Sequence, residues 1–306
     1  MVGKFWEAAG SKLAERWAAV SAPALVFWLG GVLAWAHSRA GLRSLDAPAA
    51  RLADLSLPVQ LVALLTALTV VVTSGLLVRR LAAMALRALC AAHWPRLLRP
   101  VRDLLVERQR RRLSDAQQRF QQLSPAVHDG SATPEQNAEH GALTARLRRF
   151  PSSGDPLPTR TGNILRAAET RPTDKYGLDA VAVWPHLWLL LPDTPRKDIA
   201  TARLSLDAST AACVWGLAFT AFAPWTLWAV PVGLTVAVAA LAGWVPERAE
   251  TYADLVEASF DLHRGALYGQ LRWPLPGNPQ DERVQGRRVT TYLVRGLSGS
   301  TPPFTP

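Results

Sequence analysis

Four apolar stretches free of Asp, Glu, Lys and Arg interrupt this chain at residues 18–36, 57–78, 208–224 and 227–245. A helix needs about 20 predominantly apolar residues to cross the hydrocarbon core of a bilayer. Backbone polar groups find no water there, so helices that satisfy them internally are the natural spanning element. The stretches therefore predict an all-α integral membrane protein with four transmembrane helices. Tryptophan brackets them at Trp17, Trp35, Trp225, Trp228 and Trp244, as expected for an aromatic belt at headgroup depth. The first stretch also matches a signal-peptide pattern at Ala34-Trp35-Ala36, but its leader is long and contains Glu7 and Glu15.

Composition agrees. Hydrophobic residues make up 49% of the chain and charged residues only 19%, against roughly a quarter in soluble domains. Such a chain is neither disordered nor collagen-like, and its two cysteines, Cys90 and Cys213, read as small hydrophobes rather than a disulfide.

The net charge of +10 is not spread evenly. Residues 79–112 hold ten arginines against Asp103 and Glu107. By the positive-inside rule this block remains cytoplasmic. That orientation puts both termini in the cytoplasm of a bacterial inner membrane and the 41–55 and 224–226 connections outside. The predicted layout is an interfacial amphipathic helix (1–17), a helix pair (18–78), a cytoplasmic helical insertion (79–206), a second hairpin (207–245), a cytoplasmic helix (246–274) and a mostly irregular tail (275–306).

The second span is expected to continue as helix through 82–94 and to break at Trp94-Pro95, and further helices of the insertion are expected over 95–123, 135–150 and 164–170. Pro125 and Pro172 are read as interruptions. Asp193-Thr194-Pro195 is a helix start, a capping residue followed by an early Pro. The apolar segment 178–191 is too short to span, which leaves a helix buried against the cytoplasmic helices, the favoured reading, or a piece lying in the membrane interface.

Five carboxylates carry the sharpest pattern. Glu247, Glu250, Asp254, Glu257 and Asp261 are spaced 3, 4, 3, 4, which at about 100° per residue places them on one helical stripe. Three readings fit: a salt-bridged face paired with the arginines of 96–112, a cation-attracting vestibule in an oligomer, or a docking face. Arg79, Arg80, Arg87, Arg96 and Arg99 suit anionic phospholipid headgroups. Thr66, Thr69 and Thr73 share a face of the second span, where they line a pore or bond along their own helix. Ala212, Gly216 and Thr220 permit close helix contact in the third span.

Catalytic, metal and cofactor signatures are missing, with no GxSxG, P-loop, HExxH or Cys/His ligand spacing. The chain does not read as an enzyme, and no groove-reading motif supports nucleic acid as a partner.

Gly162-Asn163-x-Leu165-x-Ala167-x-Glu169, then Tyr176-Gly177-x-Asp179 and Trp184-Pro185-x-Leu187-Trp188-x-x-Leu191-Pro192, resemble segments of an uncharacterised bacterial four-span membrane protein family. Phe260-Asp261-Leu262-His263-Arg264-x-x-Leu267-Tyr268, followed by Trp273-Pro274, resembles the same family. The resemblance implies the four-span architecture and no particular activity. In topology and length the chain is also similar to bestrophin-type anion channels, without a shared motif.

Two function classes follow as expectations. The leading one is an oligomeric channel or pore-like protein, with the threonines along the path and the carboxylate stripe forming a vestibule. The other is a membrane-anchored scaffold that presents Asn163, Glu169, Tyr176, Asp179, Trp184 and His186 to a cytoplasmic protein partner.

Overall fold

A computed structural model describes residues 22–39, 41–152 and 154–296. The expected amphipathic helix at 1–17, the first residues of the first apolar stretch and the segment 297–306 lie outside them. The described chain is 84% helix and contains no strand. Residues 22–39 form α1. The remaining principal helices are α2 (Asp46–Ala53), α3 (Leu57–Cys90), α4 (Arg99–His128), α5 (Pro134–Leu147), α6 (Arg160–Tyr176), α7 (Ala180–Leu190), α8 (Asp193–Phe219), α9 (Ala229–Ala239), α10 (Val245–Gln270) and α11 (Pro279–Arg295). A π-helical turn, Ala240–Trp244, joins α9 to α10.

Among the described residues, three helical stretches are long and apolar enough to cross a membrane: Leu57–Cys90, Asp193–Phe222 and Ala229–Gln270. Only 17%, 28% and 33% of their most apolar windows is buried. Apolar side chains left this open are stable against hydrocarbon and unfavourable against water.

The chain divides into two compact units, Met1–Leu86 with Asp207–Trp244 and Arg87–Leu206 with Val245–Pro306. In the first unit, small residues set the packing. A Cβ on Gly216 would stand 2.8 Å from the Gly233 carbonyl, and one on Gly233 would stand 2.5 Å from the Gly216 carbonyl. Backbone therefore meets backbone between α8 and α9, as small-residue stripes permit. Phe27 of α1 packs against Trp215 and Phe222 at ring-centroid distances of 4.8 and 4.9 Å, and Gly31 leaves room for the Phe222 ring.

The second unit has its own core. Leu178, Val183 and Leu187 close against Phe260, Leu267 and Tyr268 of α10, Trp273 of the connection that follows, and Val289 of α11. The segment 178–191 is thus half of this core, with Trp184 packed on Trp188 and Phe260.

Four sequence expectations are corrected here. Pro125 lies inside α4 rather than in a loop. Pro172 lies inside α6, which runs from 160 to 176 instead of 164 to 170. The second span's helix stops at Cys90, before Trp94-Pro95. Residues 279–295, expected to be irregular, form α11. Asn278 caps that helix by accepting from the Gln280 and Asp281 amides, Pro279 follows, and Glu282, Gly286 and Val289 turn inward.

Candidate functional site

The site is built around α10 and begins with how α6 is held beside it. Thr159 caps α6 by accepting from the Gly162 amide at 2.9 Å and donates to the Leu89 carbonyl at 2.6 Å. Asn163, only 2% exposed, accepts from the Leu157 amide at 2.6 Å and donates to the Leu157 carbonyl at 3.0 Å. It clamps the preceding loop, and Thr159, not Asn163, is the cap. At the other end Gly177 takes the left-handed conformation (φ 71°), where its amide bonds Thr173 and the Leu178 amide bonds Pro172. Such a closure favours glycine because it lacks Cβ. A Cβ on Gly177 would collide with the Arg283 carbonyl, and one on Gly286 with the Tyr176 carbonyl. The end of α6 and the middle of α11 thus cross at backbone contact.

α6 brings a row of cations onto the carboxylate stripe of α10. Glu257, with a side chain 6% exposed, accepts from Lys175 Nζ at 2.7 Å, from Arg148 at 3.2 Å and from Arg171. Glu250 takes Arg160 on Oε1 at 2.8 Å and Arg149 on Oε2 at 2.9 Å. Asp261 accepts from the Tyr176 hydroxyl at 2.6 Å and pairs with Lys175 at 3.2 Å. Asp254 reaches Arg148 at 3.9 Å, while Glu247 is exposed. Four of the five carboxylates are therefore paired, with cations from α6 and the end of α5 rather than from 96–112. Within that block Arg102 meets Asp103, Arg110 and Arg111 meet Glu107, and Arg110 also reaches Asp155.

The electrostatics follow from these contacts. Burial alone would raise the Glu257 carboxyl, but the Lys175 hydrogen bond and the Arg171 charge outweigh it and bring it down to about 2. Tyr176 is pushed up to about 12 by burial and by its hydrogen bond to Asp261. Arg264 stacks its guanidinium 4.0 Å from the Tyr176 ring centroid and donates to Glu282 of α11 at 2.7 Å. A second row, Tyr176–Arg264–Glu282, thereby links α6, α10 and α11.

The expected interaction residues do not form one surface. Asn163 is buried, and Tyr176 is occupied by Asp261 and Arg264. Asp179 caps α7 by accepting from the Val181 and Ala182 amides, and Trp184 packs in the core. Glu169 and His186 are exposed, with Glu169 paired to Arg166 at 3.3 Å. Thr66, Thr69 and Thr73 are all exposed along α3, where the Thr66 and Thr69 hydroxyls donate to the carbonyls of Val62 and Leu65. Arg79, Arg80, Arg87, Arg96 and Arg99 are exposed.

Sequence reasoning did not single out Arg148, Arg149, Arg160, Arg171, Lys175 or Glu282, and named Arg264 only within a motif without a role. Their signal was the i, i+4 spacing of Arg171 and Lys175, which matches the i, i+4 spacing of Glu257 and Asp261. Among the described residues no group of three or more His, Cys, Asp or Glu is arranged to hold a metal ion. Comparison with protein-family models, curated proteins and solved structures gives no match.

Proposed function

We propose that this chain is a four-span protein of the bacterial inner membrane, with both termini cytoplasmic, whose second unit serves as a cytoplasmic scaffold for a protein partner. The carrying observation is that the carboxylate stripe is spent internally: Glu250, Glu257 and Asp261 hold α5 and α6 to α10. A face neutralised this way supports a rigid, self-contained body better than it supports a vestibule with an open negative field. The three apolar helices of spanning length support membrane attachment, and α1 is read as the fourth span. The exposed Arg79, Arg80, Arg87, Arg96 and Arg99 suit anionic phospholipid at the cytoplasmic leaflet.

One observation favours the second reading, an oligomeric channel. α3 buries only Val71, Gly75, Val78, Ala82 and Leu86 of its 34 residues, so an assembly of several copies around it would cover Thr66, Thr69 and Thr73. Against that, the Thr66 and Thr69 hydroxyls bond along their own helix, as packed threonines commonly do.

Reconstitution of the full chain in lipid nanodiscs, with native mass spectrometry and planar-bilayer recording, separates the two. The scaffold reading expects no conductance, and a photo-crosslinking residue at His186 that forms a discrete adduct in native membranes. A closed ring with ion conductance abolished by Thr69→Trp selects the channel.

A further inference from the structure

The start of α4 has an apolar side that the second unit does not cover. Val106 and Gln109 turn inward and are buried. Val101 and Leu104 lie on the other side of the helix, with Leu97 and Leu98 in the 3-10 turn just before it. All four are exposed, Leu97 by 91% and Leu104 by 71%. Arg108 closes this stripe one turn past Leu104. The basic residues around it are unspent: Arg96, Arg99 and Arg108 are exposed and form no ion pair with a described residue. The two acids of 96–112 are already neutralised, since Asp103 holds Arg102, and Glu107 holds Arg110 and Arg111. An apolar patch rimmed by unpaired arginines complements a surface that is negative at its edge and apolar beneath.

The patch is fixed to the end of α3. Arg102 Nε donates to the Ala92 carbonyl at 2.7 Å, and Trp94 Nε1 donates to the Ala88 carbonyl at 3.0 Å. Both bonds hold the short connection through Pro95, so α4 opens directly off the last turn of α3. The 34 residues of α3 make about 51 Å of helix at ~1.5 Å each. At the mean tilt of about 20° this rises ~48 Å, against ~40–45 Å for a bilayer with its headgroups. A spanning helix that enters at one surface therefore ends at the headgroups of the other leaflet, where α4 begins.

We propose that residues 96–108 are a docking surface for an anionic lipid leaflet. Leu97, Leu98, Val101 and Leu104 enter the boundary between headgroups and acyl chains, and Arg96, Arg99 and Arg108 meet lipid phosphates. This goes beyond headgroup contact by arginines, because apolar side chains take part and the start of α4 lies in the plane of the leaflet. The inference rests on the reading of α3 as a transmembrane helix and is independent of the protein partner.

The test places an environment-sensitive fluorescent residue at Leu104 of the full chain and, separately, at Leu65 within the apolar stretch of α3. Each version is reconstituted in bilayers with nitroxide quenchers along the acyl chains. The lipid is phosphatidylglycerol and phosphatidylcholine in equal parts, or phosphatidylcholine alone. Quenching at 65 is expected in both mixtures, and quenching at 104 severalfold more strongly with phosphatidylglycerol. R96Q/R99Q/R108Q should lose that difference between the mixtures, and L97S/V101S should weaken quenching at 104 in both. All five side chains are exposed, so both variants should melt like wild type. Quenching at 65 without quenching at 104 overturns the surface and leaves α3 in the membrane. Absence of quenching at both positions overturns the transmembrane reading and the surface with it. Equal quenching at 104 in the two mixtures overturns the assignment to anionic lipid, as do folded variants that quench like wild type. A probe at 104 that is shielded without being quenched, and freed by dilution into excess lipid, overturns the surface in favour of a second copy of the chain.

Discussion

Glu257 and Lys175 are joined by a 2.7 Å ion pair that ties the middle of α10 to the last turn of α6. The same carboxylate holds Arg148 and Arg171, so three cations depend on one nearly buried acid. Removing one member of such a set leaves uncompensated charge, which costs more than the set itself stabilises.

Glu257→Gln is therefore expected to destabilise the second unit by about 3 kcal/mol, read as a fall in the tryptophan-monitored Tm. Retention of the wild-type Tm would show that solvent around Arg148 and Lys175 screens the loss.

The same residue sets a pH dependence. Its folded carboxyl sits at about 2, below its ordinary 4.5, so its contribution is fully present above pH 4.5 and is lost as pH falls toward 2. Tm measured across that window should decline in wild type, with a smaller decline in Glu257→Gln. Parallel pH profiles would assign the acid sensitivity to other groups.

Gly286→Ala should be strongly destabilising, because its Cβ would meet the Tyr176 carbonyl. Gly265→Ala, with nothing near its Cβ in the same unit, should be neutral or stabilising by up to about 1 kcal/mol from helix propensity alone. Equal effects would mean that α11 shifts freely against α6.

Tyr268 is fully buried and its hydroxyl has no hydrogen-bond partner among the described residues. Tyr268→Phe removes an unsatisfied polar atom and keeps the ring. The variant should gain on the order of 1 kcal/mol, visible as a raised Tm. A lower Tm would reveal a bond that the hydroxyl makes elsewhere.

Asn163→Ala leaves both polar groups of Leu157 without their side-chain partner. A loss of about 2 kcal/mol is expected. Faster proteolysis in 148–159 would distinguish a loosened loop from a weakened α6.

How much of this was legible before the structure depends on the scale of the signal. The apolar runs were legible because membrane length is a demand on every residue in them, and three emerge as helices of that length. The start of α8 at Asp193 was legible because capping is local chemistry. α11 was missed although Asn278-Pro279 and Glu282 are a helix opening of the same kind, because its inward face is Glu282, Gly286 and Val289 rather than an apolar stripe. Pro125 and Pro172 were misread because a proline costs only one donor and one local clash, which neighbouring packing offsets. The carboxylate stripe was read from its period, which is intrinsic to one helix. Its partners were misassigned because pairing with α6 across more than eighty residues is a property of topology, and the matching i, i+4 spacing of Arg171 and Lys175 does not by itself say which helix packs on which.

The contact between α7 and α11 also has a meaning in time. Leu178, Val183 and Leu187 share a core with Val289, and the Asp179 amide donates to Thr290 more than a hundred residues later. Synthesis proceeds from the first residue to the last, so α7 leaves the ribosome long before its cover exists. Until the chain has been made past residue 289, that side of the helix has no partner from α11. Loop closures this long are slow, and an open apolar surface is where a nascent chain aggregates or recruits a chaperone. α11 thus acts as a clasp, and a translation product that stops short of it carries its own mark of incompleteness.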